Sequence, residues 1–376
     1  MKEYSYILNK ICSFIVLSDS AKEAIKTHYL AISKLLANSN LIDCPTNIKP
    51  QGSYNLGTAI RPLNGSDDYD IDLVVILMYK YQPQYVKESI GKIIEESKTY
   101  HNKLLPEKRR AWTIEYANSH VDVVPAIAGK FSDDNSDILI TDKSDENIYT
   151  FLESSPFKFK DWFEKKGMGI YQENTIEKRS TFSKIEQPKE YNQYTILQKV
   201  VQLLKFHRNK MFEDRDQEIK PISMVITILA GKAYRGQKDL SIALLEVVNN
   251  LRSQMDYDLY GTPHIFNPIN HEEDFADKWN DHPERKKAFF EWLDTLEKDF
   301  GTIEKQSRLE FSNTLSQIFG TDRIKNAYNA LGRINQQLQK EGQVSINHDG
   351  VFEGGTNDKT ARPHTFWGDC KKKPSN

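Results

Sequence analysis

The stretch Gln51-Gly52-Ser53-Tyr54, followed by Asp67-Asp68-Tyr69-Asp70-Ile71-Asp72-Leu73-Val74-Val75, decides how the chain is read. Leu73 to Met78 is apolar on both parities, which marks a strand buried on both sheet faces. Asp70 and Asp72 open that strand two residues apart, so both carboxylates leave the same face. Two ionised carboxylates this close, entering an apolar strand, repel each other and lose hydration. Divalent metal ions remove that cost, and Mg2+ favours a few carboxylates combined with substrate phosphates. Asp122, in Val121-Asp122-Val123-Val124, is a third charge within an otherwise apolar strand. Three carboxylates converging from two strands can hold two metal ions and activate a hydroxyl for in-line attack on phosphorus. Gly52-Ser53 complements them: glycine lets backbone approach a phosphate, and serine adds a hydroxyl beside the backbone N–H groups. Gly-Ser alone, or Asp-x-Asp alone, is a weak signal. Their conjunction with a lone buried-looking Asp about fifty residues on is not.

Working outward, the first 38 residues read as two helices, the second opening with a capping box from Ser20 to Glu23. Ile25, Tyr29, Ile32 and Leu36 keep one apolar face on it. Strands follow from about 50 to 126, with a helix over Val86 to Leu105 and a hairpin of Ala111–Tyr116 and His120–Ile127. Residues 128–190 are polar and irregular, with one short strand at Ile138–Thr141 and a helix near Phe157–Lys166, and read as a hinge. Helices are expected at about 193–211, 221–235, 239–252, 282–298, 302–318 and 322–341. In the tail, Pro363 to Gly368 carries aromatic residues that would pin part of it to the body. The fold class is therefore α+β: a mixed β-sheet lobe with flanking helices, then a C-terminal helical lobe.

Composition sets the outer limits. With 376 residues, 51 Lys+Arg and 53 Asp+Glu, the net charge is -2, which excludes a polybasic binder relying on counterion release. The chain is 38% apolar and 11% aromatic, enough for a sizeable core. No run approaches the ~18 apolar residues of a membrane span. Ile11 to Leu17 is read as part of an amphipathic helix rather than a signal peptide. Cys12, Cys44 and Cys370 form no CxxC and read as free thiols, so a cytoplasmic location is expected.

The residues resemble the nucleotidyltransferases of the DNA polymerase beta superfamily, through Gly52-Ser53, Asp70-Ile71-Asp72 and the Asp122 strand. More closely, the chain is similar to the bacterial cGAS/DncV-like nucleotidyltransferases (CD-NTases), which make cyclic oligonucleotide second messengers in anti-phage signalling. Gln51 to Pro62 and His120 to Ala126 carry most of that likeness, continued by Leu203–Arg208, Pro221-Ile222-Ser223 and Asn267-Pro268. The 16 residues between Ser53 and Asp70 are more than the wider superfamily's compact pattern, so an extended loop must follow the Gly-Ser turn. The resemblance implies a bilobal fold whose N-terminal helices (1–45) pack across both lobes. It assigns 46–190 to the catalytic lobe and hinge, 191–342 to the helical lobe and 343–376 to a tail. It implies condensation of nucleoside triphosphates, ATP first among them, into a cyclic di- or trinucleotide with loss of pyrophosphate. Asp70, Asp72 and Asp122 would be both catalytic and metal-binding, holding two Mg2+ ions that Mn2+ can replace. Gln51, Gly52, Ser53, Lys205 and Ser223 would bind nucleotide. Implied partners are an effector that recognises the product and a regulatory protein or conjugation through the C-terminus; a nucleic-acid activator is not expected.

Lys205 has some independent support, because Gln198, Gln202, Lys205 and Asn209 fall at i, i+4, i+7 and i+11 as a polar stripe opposite Ile196, Val200, Leu203 and Leu204. A lysine there is either a solvated surface residue or a point charge for a triphosphate. Ser223 follows Pro221 at a helix start and either caps it or donates to a phosphate. Other tempting residues take plainer readings. His120 is read as structural, and Trp112, Tyr116 and Tyr194 as core. His264 and His271 lack metal-ligand spacing with any cysteine. Lys103, Lys108, Arg109 and Arg110 are read as a solvated cluster. Two other classes stay open: a transferase making linear products or modifying an RNA or small acceptor, and a nucleotide-binding sensor without catalysis.

Overall fold

The computed structural model describes residues 2–39, 42, 44–63, 69–129, 137–168, 185–188, 193–340, 344–346 and 352–354. The Asp67-Asp68 pair, much of the expected hinge and the aromatic tail at Pro363–Gly368 lie outside the described residues. The chain divides into two compact units, Met1–Thr314 and Leu315–Asn376.

In the first unit, α1 (Lys2–Ile15) and α2 (Asp19–Ala37) precede β1 (Thr46–Gln51), the single turn α3 (Gly52–Asn55), β2 (Tyr69–Leu77) and α4 (Pro83–Glu95). The hairpin β3 (Trp112–Tyr116) and β4 (Ser119–Ala128) follows, then β5 (Ile138–Lys143), β6 (Tyr149–Ser154) and α5 (Pro156–Met168). The helical part contains α6 (Ile196–Met211), α7 (Ser223–Ala233), α8 (Leu240–Asn250), the small hairpin β7 (Asp256–Tyr257) and β8 (Pro263–His264), and α9 (Pro283–Phe300). The division between units falls inside α10 (Arg308–Phe319); the second unit continues with α11 (Thr321–Lys340) and the hairpin β9 (Val344–Ile346) and β10 (Phe352–Gly354).

The main sheet runs β1-β2-β4-β5-β6, with β3 beside the first half of β4. Only β2 and β4 are parallel. Leu73 to Leu77 are all fully buried, as the unbroken apolar run requires, because the two sheet faces carry separate cores. Leu73, Val75 and Leu77 pack with the α2 residues Ile25, Tyr29 and Ile32 and the α4 residues Ile90 and Ile94. On the opposite face Val74 and Ile76 pack with Ala126 and Ile138, and Phe157 of α5 adds to them. Asp70, Asp72 and Asp122 have the parity of this second face.

The N-terminal helices join the two lobes. While α2 lies on the sheet, α1 is tied to the helical lobe: Ser5 Oγ accepts from the Leu240 backbone N–H at 3.0 Å, and Lys199 Nζ donates to Asn9 Oδ1 at 2.8 Å. Local expectations fail in places. The cap of α2 is Ser18, whose hydroxyl accepts from Ala21 N–H at 3.2 Å, rather than the Ser20–Glu23 box, because the helix starts two residues earlier. Helix α4 starts at Pro83 and stops at Glu95, ten residues short of Leu105, because Ser97–Lys103 tightens into turns and a short 3-10 segment. Strand β6 and the β7–β8 hairpin have no counterpart in the sequence reading.

One buried lysine shapes the approach to β3. Lys87 of α4 is fully buried, and its ammonium donates to the carbonyls of Lys108 (2.9 Å), Arg109 (3.4 Å) and Ala111 (3.3 Å). Burial lowers its pKa to about 8. Lys87→Met keeps the volume but leaves the Lys108 carbonyl without this donor, while Arg109 O and Ala111 O keep the N–H groups of Lys143 and Lys108. It should cost roughly 2–4 kcal/mol, read as a lower urea midpoint with unchanged slope. An unchanged midpoint would show that the loop is held by its other contacts.

Candidate active site

The site is assembled where β1, β2 and β4 run side by side. In the parallel β2–β4 register Asp72 stands opposite Asp122 and Asp70 opposite His120; on the other flank Gln51 pairs with Asp72. Neighbouring strands lie ~4.8 Å apart, so two carboxylates meet across one strand spacing with a third two residues away. Asp70 is exposed, whereas Asp72 and Asp122 are half-buried. Burial, then the negative charges of Asp70 and Asp122, push the Asp72 carboxyl up to about 7; Lys205 and Lys108 pull the other way.

Gly52 is required by its position. It has φ of +72°, a left-handed conformation that a side chain resists, and a Cβ built there would fall 1.8 Å from Asp72 Oδ2. The turn thus lies directly against the carboxylate. Its carbonyls are used internally: Leu56 N–H donates to Gly52 O, Gly57 N–H to Tyr54 O, and Thr58 N–H to Ser53 O. Asn55 fastens the turn from below, donating to Pro50 O at 2.8 Å and accepting from Lys160 at 2.8 Å.

Helix α6 then grips the segment after the turn. Gln198 donates to Leu56 O at 2.9 Å, Gln202 to Gly57 O at 3.0 Å and Lys205 Nζ to Thr58 O at 2.9 Å. The polar stripe is not a solvated face. Gln198, Gln202 and Lys205 are each at most 5% exposed, with N–H donors spent on three successive carbonyls. Burial, and then the nearby Arg208, lower the Lys205 pKa to about 7 against the pull of Asp70 and Asp72. Lys205 therefore lies within the field of the acidic pair.

Two residues that the sequence reading passed over belong here. Thr113, opposite Asp122 in the β3–β4 register and fully buried, donates its hydroxyl to Asp122 Oδ1 at 2.5 Å. Lys108 reaches the same oxygen at 3.3 Å. Lys108, Arg109 and Arg110 are exposed, as the solvated reading expects, and all three also engage carboxylates, Arg109 and Arg110 through the buried Asp142. The register with Asp122 was the available signal for Thr113. Nothing local marks Lys108.

Other residues take structural places. Tyr116 stacks on His28 with ring centres 3.8 Å apart, and Trp112 donates its indole N–H to Lys87 O. His120 Nε2 is 3.7 Å from Glu115, and His264 Nδ1 is 2.6 Å from Asp274. Ser223 is the first residue of α7, and its Oγ accepts from Arg208 at 3.2 Å.

The donor set suits a hard divalent cation: carboxylate oxygens on one sheet face, one of them with a pKa raised by burial and then by its acidic neighbours. Among the described residues, no three His, Cys, Asp or Glu side chains are gathered tightly enough to enclose an ion. Asp122 turns one oxygen to Lys108 and Thr113, as expected of a carboxylate compensated by a cationic side chain.

Residues 1–167 match the Second Messenger Oligonucleotide or Dinucleotide Synthetase domain. A c-di-GMP synthase of Roseivirga ehrenbergii is 29% identical over 373 residues, 96% of each chain. Among solved structures, the Bradyrhizobium diazoefficiens CD-NTase CdnG in complex with GTP has a TM-score of 0.63 at 16% identity, covering 87% of this chain and 99% of that one. Vibrio cholerae DncV cyclic AMP-GMP synthase in complex with nonhydrolyzable GTP has a TM-score of 0.58 at 14% identity, covering 86% and 97%. A bilobal α+β fold with paired aspartates beside a Gly-Ser turn defines a nucleotidyltransferase. Within that class the chain is similar to the bacterial cGAS/DncV-like nucleotidyltransferases, the CD-NTases, whose fold it shares.

Proposed function

We propose that the protein joins nucleoside triphosphates, GTP among them, into a cyclic dinucleotide with loss of pyrophosphate. The observation that carries this reading is the register of Asp72 against Asp122 beside the Gly52 turn. Its base choice rests on the c-di-GMP synthase that matches along almost its whole length. ATP, the donor expected from the sequence, becomes the alternative to be tested.

In this reading Asp70, Asp72 and Asp122 hold the divalent ions, with Mg2+ the natural occupant and Mn2+ a substitute. Bound there, the ions neutralise the triphosphate and acidify the acceptor ribose hydroxyl. Ser53 and the backbone of the Gly52 turn face the phosphate chain, with Gln51 anchoring the turn from β1. Lys205 adds a charge and Ser223 a hydroxyl. The ribose oxygen attacks the α-phosphorus, its proton passes to Asp122, and the bond to pyrophosphate breaks. Repetition on the linear intermediate closes the ring.

The division into N-terminal helices (1–45), catalytic lobe and hinge (46–190), helical lobe (191–342) and tail (343–376) belongs to the same reading. So do a cytoplasmic location, a role in anti-phage signalling and an effector that recognises the product. Among the described residues no helix is long and apolar enough to cross a membrane, and Cys12 and Cys44 are free thiols.

The test is incubation with all four NTPs and Mg2+ or Mn2+, then phosphatase and mass spectrometry. A phosphatase-resistant cyclic dinucleotide containing guanine is expected, absent with chelator and absent from the Asp70→Asn, Asp72→Asn protein. Linear products alone would leave transfer standing and remove cyclisation. A product without guanine would remove the base choice only.

A further inference from the structure

Beyond the acidic pair, the site contains a buried cation with no part in the proposed chemistry. Arg208 of α6 is 5% exposed, and among the described residues it forms no ion pair. Its guanidinium is spent on neutral acceptors: Nε donates to Asn209 Oδ1 at 2.9 Å, Nη1 to the Pro221 carbonyl and Nη2 to Ser223 Oγ at 3.2 Å. Two lysines lie in its field. Lys205, one turn earlier on α6, and Lys220, just before Pro221, are both disfavoured by its charge and favoured by Asp70. Burying an arginine without a carboxylate is costly, and three cations sharing one neighbourhood add repulsion. A polyanion is the ligand that would offset both.

The hydrogen-bond arithmetic points the same way. A serine hydroxyl has one proton and two lone pairs. Arg208 can only donate, so it occupies a lone pair of Ser223 and leaves the Ser223 proton for another acceptor. Ser223 opens α7, whose preceding residue Ile222 supplies no side-chain cap, so the first-turn N–H groups are not met by a capping side chain. By holding Pro221 O and Ser223 Oγ together, Arg208 fixes the direction from which that helix begins.

We propose that Arg208 is the positioning residue of the polyphosphate pocket, acting through Ser223 and adding its uncompensated charge to those of Lys205 and Lys220. This rests on the reading that Lys205 and Ser223 bind the triphosphate. Arg208 itself need not touch the nucleotide.

Inorganic tripolyphosphate is the base-independent probe, titrated calorimetrically into the full chain. Arg208→Gln should weaken binding about tenfold or more. Ser223→Ala should weaken it severalfold, and the double variant should bind no worse than Arg208→Gln, because the second change removes a hydroxyl already misdirected. Arg208→Lys keeps the charge but cannot hold both oxygens, so it should fall between wild type and Arg208→Gln. Should Arg208→Gln fail to fold, Arg208→Lys decides, and wild-type affinity in it overturns the proposal. Additive losses in the double variant, or wild-type binding by Arg208→Gln, overturn it too. If Lys205→Met and Ser223→Ala both bind as wild type, the triphosphate assignment itself falls. Losses in those two without a loss in Arg208→Gln defeat only the role of Arg208.

Discussion

Asp72→Asn abolishes nucleotidyl transfer and at the same time makes the metal-free protein harder to unfold. The two effects share one cause. In the fold the Asp72 carboxyl is partly withdrawn from water and flanked by Asp70 and Asp122, which raises its pKa to about 7. In the unfolded chain the same group titrates near ~3.9. The folded state therefore binds the extra proton between about pH 4 and pH 7, and stability falls as pH rises through that window. Above pH 7 the penalty is complete, on the order of 2–4 kcal/mol. Asparagine has nearly the same shape and does not titrate. At pH 8 the variant should melt higher than wild type without metal, and the difference should vanish near pH 4. Turnover should drop about a thousandfold or more, the equivalent of several kcal/mol of transition-state stabilisation. A variant that melts lower at pH 8, or that keeps turning over, would show that Asp72 is not the strained ligand this geometry makes it.

Gly52→Ala should be nearly as damaging from the opposite side. A side chain at φ +72° costs ~1 kcal/mol in backbone strain alone. The larger effect is the collision with Asp72 Oδ2, which leaves the carboxylate or the turn displaced. Activity should fall by about a hundredfold or more, since a displacement of ~1 Å at a reacting centre has that scale. The cycle with Asp72→Ala tests the cause. Removing the carboxylate relieves the two closest contacts and leaves only the Cβ of residue 72 at 2.9 Å, so the double variant should recover part of the stability lost by Gly52→Ala and none of the activity. Additive destabilisation would assign the loss to backbone strain.

The elements that dominate the core were legible because their patterns are local. The apolar run after Asp72 could only be a strand covered on both faces, and the apolar stripe of α2 could only face a core. The register of Asp72 with Asp122 was not legible, because parallel strands are aligned by a crossover whose length leaves the offset open. The stripe Gln198, Gln202, Lys205 was visible as a polar period. Its burial was not, because its partners Leu56, Gly57 and Thr58 lie more than 140 residues away. Lys108 is solvated as read, but its counter-charge was hidden for the same reason, because Asp122 comes from another strand. Sequence thus revealed which residues carry charge and concealed which atoms compensate it.

The grip of α6 on the carbonyls of Leu56, Gly57 and Thr58 has a consequence for how a ring can be closed. Swinging α6 away from the catalytic turn would break three buried hydrogen bonds, one of them from an ammonium, at a cost of roughly 3–6 kcal/mol. The wall carrying Lys205 is thereby riveted to the wall carrying Gly52. A half-finished product that must present its other end cannot rely on this seam to open. The nucleotide does the turning, inside a vise whose jaws stay at one setting.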